Sequence, residues 1–151
     1  MLRAASDALL VLVLALAVPV AQAAICEDVG GVLMTNIAAI DATYNLGPVF
    51  GDLQGSVAAK IVSVNEDGTF TLQHYWVTST GDTILLKPAI LHPVATSDPN
   101  VVAVLWGNYK SDIMPGGTGK FAKVHGTLSY FGLADFKQST LVLRYRGSLC
   151  H

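Results

Sequence analysis

His74 stands in the run Phe70-Thr71-Leu72-Gln73-His74-Tyr75-Trp76. A period of two places Phe70, Leu72, His74 and Trp76 on one face of a strand, and the apolar balance of that set turns the face inward. An imidazole there has two roles open to it: a core residue bonded to a backbone carbonyl, or the polar group of a ligand cavity. His92, His125 and His151 stand at no metal-ligand spacing from it or from one another, so no metal site is expected. Near the other end of the chain, Leu141, Leu143, Tyr145 and Leu149 share one face of a second run. Arg144 and Arg146 share the opposite face. Turned to solvent they are ordinary charges; turned inward they would bind a carboxylate or phenolate, and the sequence leaves both open. There is no nucleophile elbow around a serine, and neither cysteine has neighbours that would activate a thiolate.

The glycine-rich run Pro115-Gly116-Gly117-Thr118-Gly119-Lys120-Phe121 invites a nucleotide-binding reading and fails it. Met114 stands where a phosphate loop needs its upstream glycine, and Phe121 replaces the hydroxyl that would hold magnesium. The letters Gly117-x-Gly119-x-x-Ala122 match a dinucleotide fingerprint, yet no strand-helix-strand unit surrounds them and Gly126 would break the helix. The run is expected to be a glycine-dependent corner between strands, and no cofactor is implied.

The elements that must position these residues are strands. From about Gly47 onward, Gly, Pro, Asn and Asp recur at short intervals between runs rich in Val, Ile, Thr and aromatics, the pattern of an antiparallel barrel or sandwich. Asn65-Glu66-Asp67-Gly68 and Ser79-Thr80-Gly81-Asp82 should close hairpins, and Ser97-Asp98-Pro99-Asn100 is a third turn. Strands are expected over Ser56 to Val64, Thr69 to Thr78, Thr83 to Leu91, Val101 to Tyr109, Gly126 to Leu133 and Leu141 to Leu149. Pro88 sets the middle of the third at an edge or bulge. Val32 to Ile40 reads equally as a strand or a short helix. The expected fold class is all-β: a small closed antiparallel β-barrel of about eight strands, closure removing the edges that a secreted sheet must otherwise protect.

The chain begins with Arg3, the apolar run Leu9 to Val18, Pro19 and the small-residue site Ala21-Gln22-Ala23, the layout of a secretory signal peptide over 1–23 with cleavage after Ala23. The apolar run falls short of the roughly 20 residues of a membrane-spanning helix. Ile25 occupies the position where lipid attachment at Cys26 would need a small residue. The mature part, 24–151, is one domain, and a secreted or periplasmic location follows. Cys26 and Cys150 both survive cleavage, so a disulfide tying the two ends together is expected. The formal net charge is -2 and no basic stripe alternates with aromatics, which argues against nucleic-acid binding. No membrane contact is expected once the signal is removed.

Gly116-Gly117-Thr118-Gly119-Lys120-Phe121-Ala122, followed by Gly126 and a strand, resembles a segment of plant dirigent proteins and, more loosely, of allene oxide cyclases. The resemblance extends to Gly51-Asp52-Leu53-Gln54-Gly55 and to Leu141-Val142-Leu143-Arg144-Tyr145-Arg146-Gly147. It implies an eight-stranded antiparallel barrel with an apolar central cavity. Dirigent proteins steer the coupling or cyclisation of bound phenolic intermediates with pocket aspartates, arginine and tyrosine; allene oxide cyclases close a ring in a fatty-acid epoxide. Those pocket residues have no counterpart by motif here, so the resemblance assigns no catalytic position. Three roles stay open. The first is a binding module for a small apolar or phenolic ligand, lined by Phe70, Leu72, His74, Trp76 and Tyr145. The second is an enzyme that guides an intermediate in the same cavity. In the third, side chains fill the barrel and its outer surface meets a partner or a second copy of the chain, as a homo-oligomer.

Overall fold

The computed structural model describes residues 24–151, and the expected signal peptide lies outside the described residues. Among the described residues eleven strands carry the fold: β1 (Cys26–Asn36), β2 (Tyr44–Gly51), β3 (Gly55–Val64), β4 (Phe70–Thr78), β5 (Thr83–Leu86), β6 (Ala89–Leu91), β7 (Val94–Ala95), β8 (Val101–Val104), β9 (Lys110–Met114), β10 (His125–Asp135) and β11 (Thr140–Cys150). Eight of them close an antiparallel barrel in the order β1-β2-β3-β4-β5-β9-β10-β11, with β11 pairing back onto β1. The others lengthen its wall: β6 follows β5 along β4, β8 precedes β9 along β10, and β7 folds onto β8. The closed all-β barrel expected from the turn spacing is therefore the fold.

Local chemistry accounts for most of the wall. In the turn joining β3 to β4 the Gly68 N–H donates to the Asn65 carbonyl at 3.0 Å, and in that joining β4 to β5 the Gly81 N–H donates to Thr78 at 2.9 Å. Pro88 offers no ladder donor, and the run expected over Thr83 to Leu91 divides there into β5 and β6. Cys26 and Cys150 face each other across β1 and β11 and form a disulfide. Their α-carbons lie 4.0 Å apart, below the usual disulfide span of about 4.4–6.8 Å.

Expectation and structure differ, or the structure settles an open reading, at three places. Val101 to Tyr109 is not one strand: Leu105–Asn108 forms a turn, closed by the Asn108 N–H on the Leu105 carbonyl at 3.0 Å. Because β8 and β9 both run antiparallel to β10, that turn is a bulge in one wall. It leaves Trp106 against Arg146, whose guanidinium carbon sits 4.3 Å from the ring centre, and delivers Tyr109 to the interior. The ambiguous Val32–Ile40 segment belongs to a strand as far as Asn36 and turns beyond it. Finally, β2 and β9 were not expected; Gly47-Pro48 lies within the first and the glycine corner masks the end of the second.

That corner is structural. Thr118 donates its N–H to the Thr83 carbonyl at 3.0 Å and accepts the Thr83 N–H on Oγ1 at 2.8 Å, which fastens the loop to the start of β5. Gly119 has φ +52, and a Cβ there would come within 2.0 Å of Asp82 Oδ1. Glycine meets this φ at least cost, because an L side chain is disfavoured there and its Cβ would displace the Asp82 carboxylate. The short 3-10 turn that follows, Gly119–Phe121, buries Phe121.

Inward side chains fill the interior unevenly. Val29, Val49, Leu53, Trp76, Phe121, Val124, Tyr145 and Leu149 are buried in one part of a continuous core cluster. Another part is open. Arg144 and Arg146 lie on the exposed face of β11, as ordinary outer charges.

Candidate functional site

The open part of the barrel holds a cavity of about 100 Å³. Alternation along each strand supplies its wall: Leu33 and Thr35 from β1, Val57 and Ala59 from β3, Leu72 from β4, Leu143 from β11. Its rim is formed in part by Ile37, Asn45 and Phe70, all partly exposed, and by Phe136, 52% exposed. No lining residue is Asp, Glu, Lys or Arg.

At the inner end His74 of β4, Tyr109 beside β9 and Tyr130 of β10 come together, all buried. The Tyr109 hydroxyl is hydrogen-bonded to His74 Nε2, and Ser111 Oγ lies 3.4 Å from Nδ1. The three rings form one cluster, with Tyr130 stacked on His74 at 5.9 Å between centroids and Tyr109 tilted against Tyr130 at 4.6 Å. Burial disfavours every charged form here. It pushes His74 down to about 4, raises Tyr109 well above the usual phenol value with the neighbouring Tyr130 adding to the effect, and raises Tyr130 as well. All three are therefore neutral near pH 7. With Tyr109 protonated, its O–H can donate to Nε2, which leaves the imidazole proton on Nδ1, toward Ser111.

Two hydroxyls of the wall, Thr35 Oγ1 and Tyr130 OH, are buried without a hydrogen-bond partner among the described residues. Ser111, beside the Tyr130 hydroxyl, opposes its upward shift. Among the described residues no three His, Cys, Asp or Glu side chains cluster in a way that could hold a metal ion.

Of the residues singled out from sequence, Phe70, Leu72 and His74 line the cavity. Trp76 and Tyr145 point inward as well but do not line it. Trp76 donates its indole N–H to the Leu53 carbonyl at 3.0 Å, while the Tyr145 oxygen accepts the Leu53 N–H at 2.9 Å and its O–H donates to the Phe50 carbonyl at 3.3 Å. The two rings meet edge to face at 5.5 Å. Tyr145 reaches Leu53 only because Gly31 lies beside it, where a Cβ would stand 2.7 Å from the hydroxyl. A period of two selects a face but not a depth along the barrel, and depth separates Trp76 from His74. Tyr109, Tyr130 and Thr35 were not singled out. Alternation within Gly126 to Leu133 would have turned Tyr130 inward; nothing in the sequence joins Tyr109 or Thr35 to His74.

No protein-family model matches the chain, and no curated protein matches it in sequence. Among solved structures, that of a pterocarpan synthase dirigent protein aligns with 89% of this chain and 94% of its own, at 12% sequence identity and a TM-score of 0.37. A superposition that loose equates no residue of the cavity with one in that protein.

Proposed function

We propose that the domain is a binding module whose barrel takes one small, mainly apolar or phenolic molecule. A single observation carries this reading: the barrel interior holds an apolar-walled cavity with a partly exposed rim. A space of about 100 Å³ is smaller than the roughly 150 Å³ apolar cavity that accepts benzene, so a single ring or short chain is the upper limit of size. The walls supply the usual mixture of many apolar groups and few polar ones. The disulfide supports placing the domain in an oxidising compartment outside the cytosol. Mass spectrometry of solvent extracts from natively purified protein tests the proposal. A small apolar or phenolic molecule, released on unfolding in near-equal ratio to protein, is the expected result. If no such molecule is retained, and toluene fails to shift the methyl resonances of Leu33, Leu72 and Leu143, the reading is wrong.

A second reading, an enzyme acting on an intermediate held in the same cavity, draws on the Tyr109 hydroxyl bonded to His74 at the inner end.

A further inference from the structure

The two ends of the cavity offer a polar atom opposite terms. At the inner end the polar side-chain atoms are engaged with one another or closed off. His74 Nε2 is bonded to the Tyr109 hydroxyl, and Nδ1 faces Ser111 Oγ at 3.4 Å, on a residue outside the lining. The Thr35 and Tyr130 hydroxyls expose almost no surface even to a molecule the size of water. No Asp, Glu, Lys or Arg lines the wall, and the surface it presents is almost entirely apolar. A ligand hydroxyl or carboxylate carried to this end would shed its water and gain no partner.

The rim differs. Among the described lining residues that are not buried, Asn45 alone is polar, beside the apolar Ile37, Phe70 and Phe136. Its Oδ1 accepts the Ala38 N–H at 3.4 Å, and its amide N–H groups can donate to a ligand oxygen. Because the rim is partly exposed, a polar atom held there also keeps water.

Resting on the binding role proposed above, we infer that the cavity takes its ligand hydrocarbon end first, with a polar group admitted only at the rim beside Asn45. An apolar ring or chain end reaches the His74 and Tyr109 rings, along Leu72 and Leu143. The ligand class is therefore a small molecule that is polar at one end only, or not at all, and a molecule polar at both ends is rejected. The Tyr109–His74 bond closes the inner end, since it occupies the one imidazole nitrogen that would otherwise receive a hydroxyl.

Toluene, p-cresol and hydroquinone, titrated calorimetrically into the disulfide-bonded protein at pH 7 without oxygen, test this. The last two match in size and differ at one end, methyl against hydroxyl. Toluene and p-cresol should both bind, and hydroquinone should bind at least about tenfold more weakly than p-cresol, as one hydroxyl buried without a partner requires. Nuclear Overhauser contacts should join the p-cresol methyl to the His74 and Tyr109 ring protons. In Tyr109→Phe the freed nitrogen can receive a hydroxyl, so the gap between hydroquinone and p-cresol should narrow severalfold. The titrations and Overhauser contacts on the unsubstituted protein stand even if Tyr109→Phe fails to fold. Hydroquinone binding as tightly as p-cresol, p-cresol seated with its hydroxyl end at His74, or an unchanged gap in folded Tyr109→Phe would each overturn the inference and leave the binding role intact. Failure of toluene and p-cresol alike to bind would overturn the binding role itself.

Discussion

Replacing His74 by Phe is expected to flatten the acid dependence of stability. In the folded barrel burial holds the imidazole at about 4, against 6.5 for an ordinary histidine. As pH falls from 6.5 toward 4, the unfolded chain takes up a proton that the folded chain refuses, so the contribution is fully present above 6.5 and is lost on the way down. At about 1.4 kcal/mol for each pH unit, the loss reaches about 3 kcal/mol by pH 4. The substitution also leaves the buried Tyr109 hydroxyl without its partner, at a cost of about 1–3 kcal/mol near neutrality. The variant should therefore be the less stable protein at pH 7, and the gap should close or reverse by pH 4. Hydrogen bonds from Thr43 and Thr69 hold Asp41 and Asp67 below the usual carboxylate range, so their contributions fade at lower pH still and cancel in the comparison. Urea unfolding followed by tryptophan fluorescence at pH 7, 6, 5 and 4 gives the two curves. Parallel curves would refute the reasoning, because His74 would then titrate alike in the folded and unfolded chains.

Gly119→Ala should cost about 1–3 kcal/mol by urea unfolding, since alanine disfavours φ +52 and its methyl would crowd Asp82; an unchanged midpoint would show that the corner is not held by this glycine. Tyr145→Phe should cost about 1–3 kcal/mol by orphaning the Leu53 N–H, while toluene affinity is unchanged because Tyr145 lies outside the cavity; a large affinity loss would show that the two parts of the interior are not independent. N-terminal sequencing of exported protein should begin at Ala24, and a mature chain retaining Leu9 to Val18 would contradict cleavage after Ala23.

The barrel itself was legible because its turns are written in short-range chemistry. Gly68, Gly81 and Pro88 punctuate the chain where the strands end or break, and alternation from Phe70 to Trp76 selects the inward face. The cysteine pair was legible from its count and from its place near the two ends of the segment that follows the expected signal. What stayed hidden depends on long-range geometry. Strand β2 carries Gly47 and Pro48, which read as punctuation but sit here inside a ladder with β3. The bulge at Leu105–Asn108, by contrast, carries a local turn signal in Gly107-Asn108, passed over because strand-forming residues flank it, and it is this bulge that sets Tyr109 beside His74. The site was half legible for the same reason. Phe70, Leu72 and His74 share a face by period, whereas the exclusion of Trp76 and Tyr145 depends on Leu53 and Gly31 closing around them.

The most direct test of the central claim is a crystal structure of the disulfide-bonded protein soaked with toluene. The binding role predicts one ordered ring inside the barrel, in contact with Leu33, Leu72 and Leu143 and adjoining His74, with Trp76 and Tyr145 unmoved. An interior closed over by its own side chains, with toluene absent or found only on the outer face of the strands, would contradict it.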